Sequence, residues 1–120
     1  MDANTKVIVD KFNEAFGRGD VEAVMQLMTD DCVFEDTEPA PDGTRLVGQT
    51  DVRAYWQKMF KSGAQDFTAE ELFVAGDRAV VRWLYRWADD LPGRPGHVRG
   101  VDIITVRDNK VSEKLSYVKG

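Results

Sequence analysis

The sequence predicts an α+β fold in which three N-terminal helices pack against one face of a curved antiparallel sheet. Apolar residues recur at helical spacing through the first 60 residues, whereas β-branched and aromatic runs separated by short polar corners follow residue 67. Helices that precede a series of strands segregate onto one face of a sheet, because covering both faces requires helix and strand to alternate. These two patterns and their order in the chain favour the α+β class.

Each of the three predicted helices has an apolar face. The first face consists of Ile8, Phe12, Ala15 and Phe16, and the glycines at positions 17 and 19 end that helix. Asp20 is a suitable N-cap for a short second helix, and Thr50 is one for a third. The third helix has the most regular pattern, with apolar residues at i, i+3, i+4, i+7 and i+8: Val52, Tyr55, Trp56, Met59 and Phe60.

The strands are predicted from short apolar runs between turn residues. A strand at residues 32–36 ends on Glu35 and Asp36, and a loop containing proline and glycine follows it at residues 37–44. Four further strands span residues 67–75, 78–88, 97–107 and 110–119. Gly76-Asp77 and Asp108-Asn109 are hairpin corners between these strands.

The composition argues against several classes of function. A net charge of −5 disfavours binding to nucleic acid, whose phosphates need a basic surface, and no apolar run is long enough to cross a membrane. The N-terminus has no signal-peptide pattern, so we expect one cytoplasmic domain over residues 1–120. Cys32 is the single cysteine, which excludes an internal disulfide, and the single histidine, His97, argues against a histidine-based metal site. No motif indicates a cofactor.

Asp102 is the most informative residue, because this carboxylate interrupts an apolar strand between Val101 and Ile103. A strand of this composition is covered on at least one face. A charge within it therefore needs an oppositely charged partner, a water-filled cavity or a role in a site.

Several short features occur in a fixed order along the chain: Gly19-Asp20, Asp30-Asp31, Gly48, Val74-Ala75-Gly76-Asp77 and the last hairpin. In these features the chain resembles the nuclear transport factor 2-like superfamily, whose cone-shaped fold is shared by ketosteroid isomerase and SnoaL-like polyketide cyclases. The resemblance implies a SnoaL-like domain with a pocket between the sheet and the three helices. It does not imply one activity, because this fold hosts isomerases, cyclases, epoxide hydrolases and binding-only proteins.

The resemblance gives roles to two acids. Asp36 falls where ketosteroid isomerase has its general base, and Asp102 falls where that enzyme has a protonated acid that donates to the oxyanion. Phe12 occupies the position of the tyrosine that completes the oxyanion hole. Phenylalanine has no hydroxyl, which argues against steroid isomerisation and leaves a SnoaL-like cyclase or another isomerase resembling ketosteroid isomerase as the enzyme types implied.

The limonene-epoxide-hydrolase branch of the superfamily places Arg82 in the pocket. The two aspartates of that branch correspond to Leu84 and Ser116 here, so epoxide opening is not supported. The terminal-strand aspartate of the SnoaL-like cyclases also corresponds to Ser116.

Strand 78–88 has two possible orientations, since alternate side chains face opposite sides of a sheet. Burial alone turns the more apolar set toward the helices: Val81, Trp83, Tyr85 and Trp87. The resemblance turns the other set inward: Val80, Arg82, Leu84 and Arg86. We adopt the second orientation, which leaves a large apolar outer face that a second copy would cover. It predicts a homodimer through Trp83, Tyr85, Trp87, Ile103, Leu115 and Tyr117.

The last hairpin also has two possible registers. A two-residue turn at Asp108-Asn109 puts Glu113 on the face of Asp102, whereas a three-residue loop with Asn109 left-handed puts Lys114 there. Strand parity in the resembled superfamily favours the longer loop, and Lys114 would then form a charged pair with Asp102.

The predicted catalytic residues are Asp36, Asp102, Lys114 and Arg82. Asp36 would transfer a proton. Lys114 and Arg82 would stabilise developing negative charge, while Asp102 would orient Lys114. The predicted substrate-binding residues are Phe12, Trp56, Phe60, Leu84, Ile104 and Ser116.

The leading functional prediction is an enzyme of the isomerase, cyclase or hydratase type that acts on a small organic molecule without a cofactor or a metal. One alternative is a non-catalytic protein that binds a small ligand. The other is an interaction module that binds another protein through the outer face of its sheet.

Overall fold

Three helices lie against one face of a six-stranded sheet. The computed structural model describes residues 2–61 and 66–120. The helices are α1 (Asp2–Arg18), α2 (Val21–Gln26) and α3 (Gln49–Met59). The strands are β1 (Met28–Glu35), β2 (Arg45–Val47), β3 (Phe67–Ala75), β4 (Arg78–Arg86), β5 (His97–Arg107) and β6 (Lys110–Val118). The predicted α+β class is confirmed, and β2 is a strand that was not predicted.

The starts of α2 and α3 are fixed in different ways. The side chain of Asp20 accepts a hydrogen bond from the backbone N–H of Ala23 at 3.1 Å, so Asp20 is the predicted N-cap of α2. The prediction that Thr50 caps α3 is wrong. Gly48 holds that position with a φ of 90°, which glycine adopts without a steric penalty, and the helix begins at Gln49.

The sheet has the strand order β2-β1-β6-β5-β4-β3 and is not closed, because β2 and β3 lie at its two edges. The β1–β6 pair is parallel, and the other neighbouring pairs are antiparallel. In the chain α3 follows β2, which lies at one edge of the sheet, and β3 lies at the other edge. The long strands β4, β5 and β6 therefore meet in the middle, and their inward side chains form the floor beneath the helices.

An aromatic cluster fills the space between the helices and the sheet. The fully buried indole of Trp56 on α3 lies with its ring centroid 4.9 Å from that of Phe34 on β1 and 6.0 Å from that of Phe12 on α1. Phe16 and Phe60 pack edge to face against each other with their centroids 4.9 Å apart. Such aromatic pairs add to the apolar burial that holds α1 and α3 on the sheet.

The predicted orientation of β4 is wrong. Val81 is fully buried and Trp83 is 7% exposed, whereas Arg82 between them is exposed. In the β4–β5 pair Val81 lies opposite Asp102, and side chains opposite each other in an antiparallel pair share a face. Turning Asp102 inward thus also turns Val81 and Trp83 inward, as burial alone indicated, and places Arg82 outside.

In the last hairpin Lys114 faces inward as predicted, but a two-residue turn and a bulge produce this orientation instead of a three-residue loop. Asp108 and Asn109 both have positive φ, at 54° and 62°, as in a two-residue turn that matches strand twist. The three-residue loop is therefore wrong. The register then shifts at Ser112, which is an extra residue between the pairs that β5 forms with β6. This bulge reverses the alternation and turns Lys114, rather than Glu113, toward the helices.

Candidate functional site

A cavity of about 340 Å³ lies between the sheet and the helices. Its walls are mainly aromatic: Phe16, Phe34, Phe67, Trp83, Tyr85 and Trp87. Its polar lining residues are Asp36, Thr37, Glu38, Asp102, Lys114 and Ser116. Asp102 is fully buried and Lys114 is 4% exposed, so both lie at the deep end of the cavity, whereas Trp87 is 59% exposed and lies at the opening.

A buried ion pair lies at the deep end of the cavity. Lys114 Nζ is 3.2 Å from Asp102 Oδ2, and the side chains are 5% and 0% exposed. The other carboxylate oxygen, Oδ1, accepts hydrogen bonds from Trp83 Nε1 at 2.9 Å and from Ser116 Oγ at 2.7 Å. Lys114 Nζ also donates to Ser116 Oγ at 3.2 Å. β4, β5 and β6 thus each contribute to one charged network, which rigid strands hold in place.

Two aromatic rings hold the ammonium group of Lys114. Its Nζ lies 4.9 Å from the ring centroid of Phe16 and 4.9 Å from that of Phe34. A cation at this distance is attracted by the negative face of the ring. The ammonium group is therefore held on one side by the Asp102 carboxylate and on others by the two aromatic rings.

Asp36 follows β1 and points into the same cavity beside a tyrosine on α3. Its Oδ2 accepts a short hydrogen bond from the hydroxyl of Tyr55, and its Oδ1 accepts one from the backbone N–H of Thr37 at 2.8 Å. Burial raises the pKa of Tyr55 to about 12, and the hydrogen bond to Asp36 adds to this shift. Tyr55 therefore stays protonated at neutral pH and donates to a carboxylate whose direction it fixes.

The loop after Asp36 depends on a glycine. The backbone N–H of Asp36 donates to the carbonyl of Thr44 at 2.9 Å, which closes the loop on the end of β1. Gly43 has a φ of 76°, and a Cβ there would lie 1.7 Å from the carbonyl oxygen of Asp36. Only glycine fits so close to that backbone, so Gly43 helps to position Asp36.

The structure brings some of the predicted site residues together and separates the others. Asp36, Asp102, Lys114 and Ser116 line the cavity. Arg82 and Leu84 lie on the outer face because of the orientation of β4, so their placement in the site was wrong. Four further residues predicted to bind substrate are buried in the core and do not line the cavity: Phe12, Trp56, Phe60 and Ile104. They support the cavity from behind.

The cavity also contains residues that the sequence analysis placed elsewhere. Trp83, Tyr85 and Trp87 were assigned to the dimer face and instead form cavity wall, a result that burial alone would have given. Tyr55 was predicted only as part of an apolar helix face. Its contact with Asp36 joins residues that are 19 positions apart and on different elements, so no local pattern could reveal it.

The outer face of the sheet is less apolar than predicted. Ile103 and Leu115 remain on it, half-buried, and Tyr117 is 54% exposed. Charged side chains interrupt this face, including Arg82 and the ion pair of Arg99 with Glu70 at 3.0 Å.

Neither a metal-binding cluster nor a membrane-spanning helix is found within residues 2–61 and 66–120. No three His, Cys, Asp or Glu side chains within these ranges are grouped so that they could hold a metal ion. No helix within them is long and apolar enough to cross a membrane.

Comparison with known proteins places the chain in a family. Residues 9–114 match the model of the SnoaL-like domain. A nuclear transport factor 2-like protein of unknown function from Mesorhizobium loti is 39% identical, with a TM-score of 0.84, and the match covers 99% of this chain and 93% of that one.

No curated protein matches the chain. Two other solved structures are similar at lower identity. A proposed polyketide cyclase from Sinorhizobium meliloti is 26% identical, with a TM-score of 0.71, over 92% of this chain and 93% of that one. A proposed ketosteroid isomerase from Kribbella flavida is 19% identical, with a TM-score of 0.79, over 99% of this chain and 80% of that one, and shows likeness of fold. From its family match and fold, this chain belongs to the SnoaL-like domain family of the nuclear transport factor 2-like superfamily.

Proposed function

We propose that this protein binds a small organic molecule in the cavity and catalyses a proton transfer on it, as an isomerase-, cyclase- or hydratase-type enzyme. The observation that carries this proposal is that an oriented carboxylate, Asp36, and a buried ammonium group, Lys114, line one aromatic cavity. A base and a fixed positive charge in the same cavity are the groups that such chemistry requires.

Asp36 is the proposed base. It is only partly buried, so its carboxylate can reach a ligand, and two hydrogen bonds fix its orientation. Tyr55 acts as a positioning residue, since its hydroxyl holds one of the carboxylate oxygens.

Lys114 is the proposed stabiliser of developing negative charge. Arg82 was predicted to share this role but lies outside the cavity, so Lys114 acts without it. Asp102 accepts from Trp83 and Ser116 and pairs with Lys114. In this proposal Asp102 orients the lysine through the ion pair, whereas the acid at this position of ketosteroid isomerase donates to the oxyanion.

A pair of matched variants tests the role of Asp36. Small ketones, lactones and phenolics would first be screened for binding by thermal shift and then for turnover. On any substrate found, Asp36→Asn should abolish turnover and leave the fold intact. Glu35→Gln changes the neighbouring acid, which pairs with Arg45, and should leave turnover unchanged. Undiminished turnover by Asp36→Asn would rule out the proposed base.

A binding protein without catalysis is the second candidate, because the charges of Asp102 and Lys114 are already paired with each other. In that case a ligand would bind to the wild type and to Asp36→Asn with the same affinity, and neither would convert it. Calorimetry and product analysis on the same ligand distinguish the two candidates.

We also propose a homodimer formed through the outer face of the sheet, now without Trp83, Tyr85 and Trp87, which line the cavity. Val80, Ile103 and Leu115 form an apolar row, since Ile103 lies opposite each of the other two in neighbouring strands. Light scattering should give a dimer for the wild type and a monomer for Ile103→Glu. Val7→Glu, on the exposed side of α1, is the control and should remain a dimer. A monomeric wild type would leave this face to another protein, as in the interaction-module alternative.

A cytoplasmic location stays a prediction.

A further inference from the structure

We propose that Asp90 is a positioning residue for the opening of the cavity: its carboxylate holds the loop between β4 and β5 so that Trp87 forms a fixed wall of the opening, and loss of these contacts widens the way in. The loop spans residues 87–96. This inference goes beyond the proposed function, since it concerns access to the cavity and requires no particular reaction. It gives a role to an acid that does not line the cavity itself.

The carboxylate of Asp90 joins the end of β4 to the start of β5. Its Oδ2 accepts a hydrogen bond from Arg86 Nη1 at 3.1 Å. Its Oδ1 accepts from the backbone N–H of Gly96 at 2.9 Å and from His97 Nδ1 at 2.6 Å. Arg86 and His97 lie opposite each other in the β4–β5 pair, so their side chains share one face of the sheet. Asp90 therefore folds the loop back over that face and closes its base.

These contacts distinguish Asp90 from the acid that precedes it. The pKa of Asp90 is held well below its ordinary value, first by the hydrogen bond with His97 and then by the one from Gly96. Exposed ion pairs contribute little when they stand alone, but several charge-assisted hydrogen bonds on one carboxylate form a network. The side chain of Asp89 has no ion pair or hydrogen bond with a described residue. Of the two adjacent acids, Asp90 is therefore the one that holds the loop.

The backbone at the base of the loop links Asp90 to Trp87. The N–H groups of Trp87 and Ala88 both donate to the carbonyl of Gly96, at 2.9 and 3.2 Å. A Cβ on Gly96 would lie 2.2 Å from the carbonyl oxygen of Ala88, so only glycine allows the two backbone segments to cross this closely. Gly96 thus bonds to Trp87 through its carbonyl and to Asp90 through its N–H, which connects the carboxylate to the residue at the opening.

Trp87 is the member of this loop that lines the cavity. Because side chains alternate along a strand, Trp83, Tyr85 and Trp87 form one row that runs from the buried ion pair to the opening. Trp83 is 7% exposed and Trp87 is 59% exposed, and the ring centroids of Tyr85 and Trp87 are 6.4 Å apart. A shift at the base of the loop would displace the outermost ring of this row and leave the deep end of the cavity in place.

Fluorine NMR of the protein labelled with 5-fluorotryptophan tests the inference without a ligand. The three tryptophans of the chain report on three places: Trp87 on the opening, Trp83 on the cavity wall and Trp56 on the core. The uncharged nitroxide TEMPOL, dissolved in the buffer at neutral pH, increases the fluorine relaxation rate of each ring that it can approach. For the wild type we expect a large increase at Trp87, a small one at Trp83 and none at Trp56.

Matched variants of the two adjacent acids give the decisive comparison. Asp90→Ala should enlarge the relaxation increase at Trp83 by at least about twofold, because local opening of the loop admits the probe, and should leave Trp56 unchanged. Asp89→Ala is the control and should keep the wild-type values. An unchanged Trp83 in Asp90→Ala would overturn the proposal. An equal rise at Trp56 would also overturn it, since that result indicates general loosening of the fold and not a wider opening.

Two further variants perturb the same contacts independently. His97→Phe keeps a ring but removes the donor to Asp90, so it should give a smaller rise at Trp83 than Asp90→Ala does. Gly96→Ala should also raise the value at Trp83, without a change of charge, because the new Cβ forces the crossing apart. If Asp90→Ala does not fold, as judged by circular dichroism, these two variants decide, and wild-type values in both would overturn the proposal. Retained turnover in Asp36→Asn contradicts only the proposed function.

Discussion

Removing the charge of Lys114 should expose how much the fold depends on the buried pair. In Lys114→Met, Asp102 would be left as a buried carboxylate whose neighbouring ammonium is gone. At 3.2 Å and an effective dielectric constant of about 20, the lost attraction is about 5 kcal/mol before desolvation is counted. Breaking a buried pair from one side typically costs about 3–5 kcal/mol. Because Trp83 and Ser116 still donate to Asp102, we expect about 3 kcal/mol.

Urea unfolding followed by tryptophan fluorescence measures this loss, and a shift in melting temperature of roughly 10–15 °C should accompany it. Lys6→Met is the matched control, since Lys6 pairs with Asp10 at 2.7 Å but both side chains are more than half exposed. It should cost about 0.5 kcal/mol or less. Adding Asp102→Asn to Lys114→Met should recover most of the stability, because no uncompensated charge remains. If Lys114→Met is as mild as Lys6→Met, the pair is not the buried network described above.

Three further predictions address the loop, the tyrosine and the cavity opening. Gly43→Ala should lower the free energy of unfolding by about 1–3 kcal/mol and displace Asp36, because the new Cβ would clash with the carbonyl of Asp36 and the backbone has a positive φ there. Urea unfolding measures this loss, and an unchanged midpoint would refute the close approach. The pKa of Tyr55 is raised to about 12, so the stability that Tyr55 contributes is present below about pH 10 and is lost as the pH rises toward 12. The difference in free energy of unfolding between the wild type and Tyr55→Phe should shrink over that range. A constant difference would count against the shift. The pKa of Asp90 is held well below its ordinary value, first by its hydrogen bond with His97. The stability that Asp90 contributes is therefore present above about pH 4 and is lost as the pH falls further. The melting temperatures of the wild type and Asp90→Asn should converge in acid, and a constant difference between them would exclude the effect.

Local pattern was sufficient for most of the fold. The apolar spacing on α1 and α3 is the spacing of the faces that the structure buries, because burial of an amphipathic face stabilises a helix more than the propensities of its residues do. The Gly76-Asp77 corner joins β3 and β4 where it was predicted. The three-residue strand β2 was missed, since Arg45, Leu46 and Val47 are too few to show an alternation.

The site was predictable only where a residue was out of place in its strand. Asp102 stood out because a charge in an apolar strand requires a partner, and the structure supplies Lys114. The error at Arg82 came from giving the resemblance more weight than the burial of Trp83. Val81 lies opposite Asp102 in the β4–β5 pair, so an inward Asp102 requires an inward Val81 and excludes an inward Arg82. The bulge at Ser112 and the contact of Tyr55 with Asp36 depend on tertiary structure, which spacing along the chain does not encode.

A crystal structure of the protein with a compound that binds in the thermal-shift screen tests most directly the claim that a small molecule binds in the aromatic cavity lined by Asp36 and Lys114. The prediction is density for the ligand between the walls formed by Phe34 and Trp83, with a polar atom within hydrogen-bond distance of the Asp36 carboxylate. A ligand bound outside the cavity, or a β4 with Arg82 inside and Trp83 outside, would contradict that claim.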